Sequence, residues 1–200
     1  MNKEVKRYAD LYEKQLRRDN YPDIAEKKKR YSERLQQMYD SKIYKEHNIY
    51  PTMNVNLIYA VIAVCLELKE LGLDNKQIMD FSDGVFRKRK KLFAILEGLI
   101  DILPNSYKIA EKWNIDDHEK RVKDGSITYD MFKVEDGRIE YSISECMYVK
   151  MFEYYGIRPL CKIFCKTDES AYALLKRRIN FTRYSDLSDG DCCHDVITRK

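Results

Sequence analysis

The sequence predicts an α+β fold, with a helical N-terminal half followed by a ββααββ antiparallel-sheet region. Three observations carry that reading. Apolar residues recur at helical spacing from Val5 to Leu103. After Asp124 and Gly125 the period changes to alternation, through Ile127, Tyr129 and Met131 and again through Ile139, Tyr141 and Ile143. Between those two runs lies Glu135-Asp136-Gly137, and an Asp-Gly flanked by alternation is a hairpin signal.

The elements follow in order. Lys3 to Arg18 carries one apolar stripe, Val5, Tyr8, Leu11, Tyr12 and Leu16, and reads as a helix. Asn20 to Asp23 is a break, with Pro22 suited to opening the next helix, Ile24 to His47. Pro51 ends that unit. Asn54 to Leu71 is apolar nearly all round, so it is expected to be the most buried helix, with Gly72 closing it. Asp74 and Gln77 have capping-box spacing for a short helix to about Phe81. Ser82-Asp83-Gly84 is expected to interrupt it, and a further helix runs from Val85 until Pro104 stops it. Tyr107 to Lys123 is helical.

Past the first hairpin, Cys146 to Tyr155 reads as a short helix with Gly156 beyond its end, and Pro159 opens another turn. Cys161 and Cys165, four apart, share a helix face. Thr167 is a candidate cap for Asp168 to Lys176. A last hairpin takes Ile179 to Asp186, a turn at Ser188-Asp189-Gly190, and Cys192 to Thr198. We read 1–200 as a single domain, with 1–123 its helical part and 124–200 the α+β part that carries the site.

Composition narrows the function. The chain is 44% hydrophobic and 35% charged, so it is globular and not disordered. Net charge is +4 and the pI about 8.6, short of what argues for nucleic acid. Two basic runs, Lys27 to Arg30 and Arg87 to Lys91, lack interleaved aromatics and read as solvated helix faces. The N-terminus has no apolar secretory core, and the longest apolar run, Leu57 to Leu66, is too short to span a bilayer. A cytoplasmic protein with reduced thiols is expected, with no membrane partner; a homo-oligomer is compatible with the helical half. His47 and His118, in charged helical stretches, read as surface residues.

Five of the six cysteines lie past Arg138, with His194 among them. On the last strand Cys193, Asp195 and Ile197 share one face, while Cys192, His194 and Val196 share the other. A one-residue change of register exchanges the two sets. Three readings of the thiols stand. They are buried and inert, packing as small hydrophobes. They bind zinc, although no CxxC pair exists and adjacent strand cysteines point apart. Or one is a catalytic thiol with an acid partner, for example Cys165 with Asp168. No P-loop, GxGxxG or GxSxG occurs.

An ordered set of features adds to this. Ser142 to Tyr148 delivers Cys146 from a strand into a helix, and Tyr155-Gly156-Ile157 follows. Then come Phe164-Cys165-Lys166-Thr167-Asp168, the strand Phe181-Thr182-Arg183, and Gly190 ahead of Cys192-Cys193-His194-Asp195. In this order the block resembles the L-2-amino-thiazoline-4-carboxylic acid hydrolase family. The likeness covers Arg138 to Lys200 well and Ile127 to Gly137 loosely. The family pattern ends on Cys followed directly by Asp and an aromatic. Here His194 separates Cys193 from Asp195 and Val196 replaces the aromatic, so His194 is a second candidate for the family cysteine's place.

The resemblance implies a hydrolase that opens a small sulfur heterocycle, a small-molecule substrate. We expect no cofactor and no metal. Water adds at the carbon between sulfur and nitrogen, and the C–S bond breaks to give N-carbamoyl-L-cysteine. It implies catalytic roles for Cys146, Cys165, Asp168, Cys193, His194 and Asp195, with a thiol attacking or assisting a base and a carboxyl group protonating the ring nitrogen. Arg183 is implied as the two-pronged clamp on the substrate carboxylate. The rival readings are a non-catalytic small-ligand-binding or signalling module with the same pocket, and a helical interaction protein working through its basic faces.

Overall fold

A computed structural model describes residues 2–86, 95, 98–175 and 177–200, the side chain of Asp168 excepted. Contacts gather into two compact units, Met1–Arg87 and Lys88–Lys200. The second unit takes in the helix over 106–124.

In the first unit, α1 (Lys3–Arg18), α2 (Ile24–Asp40), α3 (Lys42–His47), α4 (Val55–Glu70) and α5 (Asn75–Val85) follow one another. Helix α4 is the centre: Val55, Leu57 to Cys65 and Leu68 are all buried, as its unbroken apolar surface requires. Asn54 caps it by accepting from the Leu57 N–H at 3.1 Å. Two boundaries differ from expectation. The expected helix over 24–47 breaks at Ser41, whose extended backbone and hydroxyl, accepting from Tyr44 N–H at 3.2 Å, start α3. Conversely, α5 does not stop at Ser82. It runs through Gly84, where a Cβ would sit 2.5 Å from the Gln15 side chain; the glycine serves close packing against α1, not a turn. The capping box of Asp74 and Gln77 is formed in both directions, at 2.8 and 2.9 Å.

The basic run on α2 is largely paired within this unit. Lys28 reaches Asp10 and Glu13, each at 2.6 Å, and Arg30 and Arg34 fork onto Glu67 and Glu70. His47 is not a surface residue. It is buried, with Nδ1 2.8 Å from the Tyr59 hydroxyl. Most of the helix expected over 85–103, with its run Arg87 to Lys91, lies outside the described residues.

The second unit contains α6 (Ser106–Asp124), β1 (Ile127–Glu135), β2 (Arg138–Cys146), α7 (Met147–Tyr154), a 3-10 turn (Arg158–Cys161), α8 (Lys162–Tyr172), β3 (Ile179–Ser185) and β4 (Cys193–Arg199). The fold is thus α+β, as predicted. The strands form one antiparallel sheet ordered β1-β2-β4-β3, so the two hairpins meet through β2 and β4. Gly137, at φ +75, makes the tight turn of the first hairpin. Helix α8 continues past Thr167, whose hydroxyl turns back to the Ile163 carbonyl at 3.5 Å and caps nothing.

One face of the sheet is inward. Ile139, Ile179 and Ile197 pack there with Tyr107 and Ala110 of α6 and with Leu175. His118 of α6 is half-buried and stacks on Phe132 with ring centroids 3.8 Å apart. No described helix is long and apolar enough to cross a membrane.

Candidate functional site: a thiol cluster beside a buried arginine–aspartate pair

The inward face has an apolar end and a polar end. In register, Ile197 pairs with Ile139 and Phe181 at the apolar end. Asp195 pairs with Tyr141 and Arg183, and Cys193 with Ile143, toward the end where β2 turns into α7. The choice of face left open by the sequence is thereby settled: Cys193, Asp195 and Ile197 point inward, at 8%, 1% and 0% exposure.

Four thiols lie in one another's electrostatic range at this end. Cys146 ends β2 and is the residue from which α7 starts. Cys161 closes the 3-10 turn, Cys165 lies one helical turn later on α8, and Cys193 opens β4. Each of Cys146, Cys161 and Cys193 is pushed upward partly by its neighbours in the set. Burial is the main cause for Cys146, taken up to about 11 against the nearby N–H groups of Val149 and Tyr148 and the charge of Arg121. Burial likewise takes Cys193 up to about 12, although its sulfur accepts from the Leu187 N–H at 3.3 Å. Cys161 is raised chiefly by its interaction with the neighbouring Cys165 thiol, with burial adding to it. Cys161 and Cys193 are buried, while Cys146 and Cys165 retain partial exposure at the residue level.

Arg183 and Asp195 border the cluster. Arg183 Nε donates to Oδ1 at 2.8 Å and Nη2 to Oδ2 at 2.7 Å. Nη1 donates to the Cys165 carbonyl at 2.6 Å. The arginine ties β4 to the helix that carries Cys165. Its two prongs, which the sequence reading assigned to a substrate carboxylate, close on Asp195.

Among the other expected site residues, Asp168 lies on α8 three residues past Cys165, and its side chain is outside the described residues. His194 is not brought to the cluster. It follows Cys193 by one position, so it points to the other face, where Nε2 lies 2.9 Å from Glu140 Oε1 and the ring stacks on Tyr184. Cys193, not His194, therefore holds the inward position. Cys192 sits outside the set, 3.5 Å from the Ser185 hydroxyl.

Sequence reasoning left three neighbours unassigned. Cys161 carried a signal, its four-residue spacing from Cys165. Arg121 of α6 carried none among the charged residues around it. Its Nε contacts Asp117 at 3.2 Å and its guanidinium lies 5.9 Å from the Tyr148 ring centre, yet Nη1 is buried with no hydrogen-bond partner. Ser126, 1% exposed, has an equally unpartnered hydroxyl, and its carbonyl accepts from Met147 N–H at 2.9 Å, next to Cys146. Unsatisfied buried groups of this kind cost about 1–3 kcal/mol each, more when charged. Among the described residues no three of His, Cys, Asp and Glu are grouped to hold a metal ion.

Comparison with curated proteins finds no match. A family model described as L-2-amino-thiazoline-4-carboxylic acid hydrolase matches residues 82–196, more than half of the sequence, and that span holds all four clustered thiols together with Arg183 and Asp195. On that match the chain belongs to the L-2-amino-thiazoline-4-carboxylic acid hydrolase family.

Proposed function

We propose that this protein hydrolyses L-2-amino-thiazoline-4-carboxylate, or a closely related small sulfur heterocycle, to N-carbamoyl-L-cysteine. The observation that carries the proposal is the meeting of Cys146, Cys161, Cys165 and Cys193, from three separate stretches of the family-matched region, beside Arg183 and Asp195.

In this scheme Cys165 attacks. It lies one helical turn from Cys161 and keeps partial exposure, and its backbone is held by Arg183. The Cys165 thiolate adds to the ring carbon between sulfur and nitrogen as the ring nitrogen takes a proton. Asp168, three residues along α8, is the acid. The ring C–S bond then breaks, the departing sulfur takes a proton, and an isothiourea on Cys165 remains. One water adds to that carbon, the Cys165 sulfur leaves, and the product is substrate plus one water. Cys146 and Cys193, with pKa values pushed up to about 11 and about 12, stay protonated at neutral pH, and their role in this scheme is to offer S–H groups to the developing thiolates. Asp195 acts through Arg183, as a positioning residue.

The test is incubation of purified protein with the thiazoline, following N-carbamoyl-L-cysteine by mass spectrometry. Product should form with the native protein and not with Cys165→Ala, and quenched samples should carry one substrate-derived adduct on Cys165. Thermal stabilisation by the thiazoline without product would instead favour a ligand-binding module. Undiminished turnover in Cys165→Ala would remove the nucleophile assignment.

A further inference from the structure

Arg183 cannot serve a substrate carboxylate without giving up Asp195, so the cation for that group has to be sought elsewhere. We propose that Arg121 and Ser126 form the seat for a substrate carboxylate, next to Cys146. This deepens the hydrolase reading above and rests on it for the identity of the ligand.

The two residues flank the end of α6. Arg121 is in its last turn, Gly125 stops the helix at φ +72, and Ser126 follows. From there the chain is bound to the thiol cluster by backbone alone: Ser126 C=O accepts from Met147 N–H, and Ile127 is the ladder partner of Cys146. The fold therefore delivers a guanidinium and a hydroxyl to the residues that carry one of the four thiols.

Each residue keeps one buried donor atom in want of an acceptor. Arg121 is anchored through Nε to Asp117 at 3.2 Å and by Tyr148, whose side chain hydrogen-bonds the guanidinium and whose ring lies against it, while Nη1 is buried and unpartnered. The Ser126 hydroxyl is buried and unpartnered as well. Arginine is charged under all ordinary conditions and offers only donors. A buried cationic N–H and a buried hydroxyl together suit a single anionic oxygen pair, and a carboxylate supplies that with charge-assisted hydrogen bonds. The charge of Arg121 is already felt at Cys146. A ligand seated here would present its ring to the thiols.

The experiment compares two ligands, L-2-amino-thiazoline-4-carboxylate and 2-amino-2-thiazoline, which lacks the carboxylate. Binding is measured by calorimetry on the native protein and on Arg121→Gln, Arg121→Lys and Ser126→Ala, with circular dichroism as the control for folding. Arg121→Gln should weaken the carboxylate ligand about 10- to 100-fold and leave the neutral-ring analogue within about two-fold. Arg121→Lys, which keeps the charge but not the fork, and Ser126→Ala should show smaller losses confined to the carboxylate ligand. These two variants decide the matter if Arg121→Gln does not fold. Unchanged carboxylate affinity in the folded variants, or equal losses for both ligands, overturns the seat. Native protein that binds the carboxylate selectively through Arg121 but makes no product keeps the seat and removes hydrolysis. Native turnover with KM unmoved by Arg121→Gln removes the seat and keeps hydrolysis. Native protein that binds neither ligand overturns both.

Discussion

Arg183 and Asp195 are register partners across the β3–β4 ladder, and their side chains close a two-pronged pair at 2.8 and 2.7 Å with the aspartate side chain 1% exposed. The third arginine nitrogen reaches out of the sheet to the Cys165 carbonyl. One side chain thus fixes the helix carrying a candidate nucleophile to the middle of the sheet. A buried pair of this sort adds little net stability over an apolar substitute, but breaking it strands a charge in the interior.

The first prediction concerns that pair. Asp195→Asn should destabilise the sheet-bearing unit by about 3–5 kcal/mol, because Arg183 keeps its charge and loses its partner. The double variant Arg183→Met, Asp195→Leu should recover most of that loss. Urea unfolding followed by fluorescence of Trp113, which lies in this unit, gives both values. A double variant as unstable as the single one would mean that the pair's charge is not the cause.

Thiol reactivity supplies a second. The raised values of Cys146, Cys193 and Cys65, about 11, about 12 and about 12, leave almost no thiolate at neutral pH. In iodoacetamide labelling of the folded protein, read out by peptide mass spectrometry, Cys165 should be alkylated ahead of all three. Labelling of Cys146 or Cys193 at the rate of Cys165 would contradict this arrangement.

His47 makes the first unit sensitive to acid. Burial lowers its pKa from the ordinary 6.5, so in the folded state it is neutral where the unfolded chain takes up a proton. The resulting stability is fully present above the unfolded value near 6.5 and is lost as pH falls through the depressed folded value. The unfolding midpoint of the first unit should therefore drop below pH 6.5, and His47→Gln should flatten that part of the profile. An identical slope in the variant would assign the loss to other groups.

Gly84 offers a fourth. Replacing a helical glycine by alanine ordinarily stabilises by about 1 kcal/mol. Here the added Cβ meets the end of Gln15, whose amide nitrogen holds Asp19 at 2.8 Å. The gain should be abolished in Gly84→Ala and should return when Gly84→Ala is made in a Gln15→Ala background. A coupling of about 0.5–3 kcal/mol is expected from the cycle; strict additivity would show that Gln15 moves aside without cost.

Much of the fold was legible because its signals are local. Helix α1, the capping box of α5 and the Asp136–Gly137 hairpin each depend on residues within a few positions, and each stands where the pattern put it. The misses were cases in which a distant partner changed the meaning of a residue. Gly84 looks like a breaker until Gln15 is seen against it. His47 looks solvated until Tyr59 is found beside it. Ser41 is the exception, a local signal, since a serine after an aspartate can cap the next turn.

For the site, alternation along the last strand determined that Cys193 and Asp195 travel together and that His194 opposes them, and the order of motifs determined the family. Only the tertiary structure decided which face points inward, that Arg183 closes on Asp195, and that Arg121 is left with a buried nitrogen lacking a partner. The reason is physical. Side-chain alternation and helix period are properties of neighbouring residues, whereas register, ion-pair choice and desolvation depend on groups dozens of positions away that meet only when the sheet and its helices assemble.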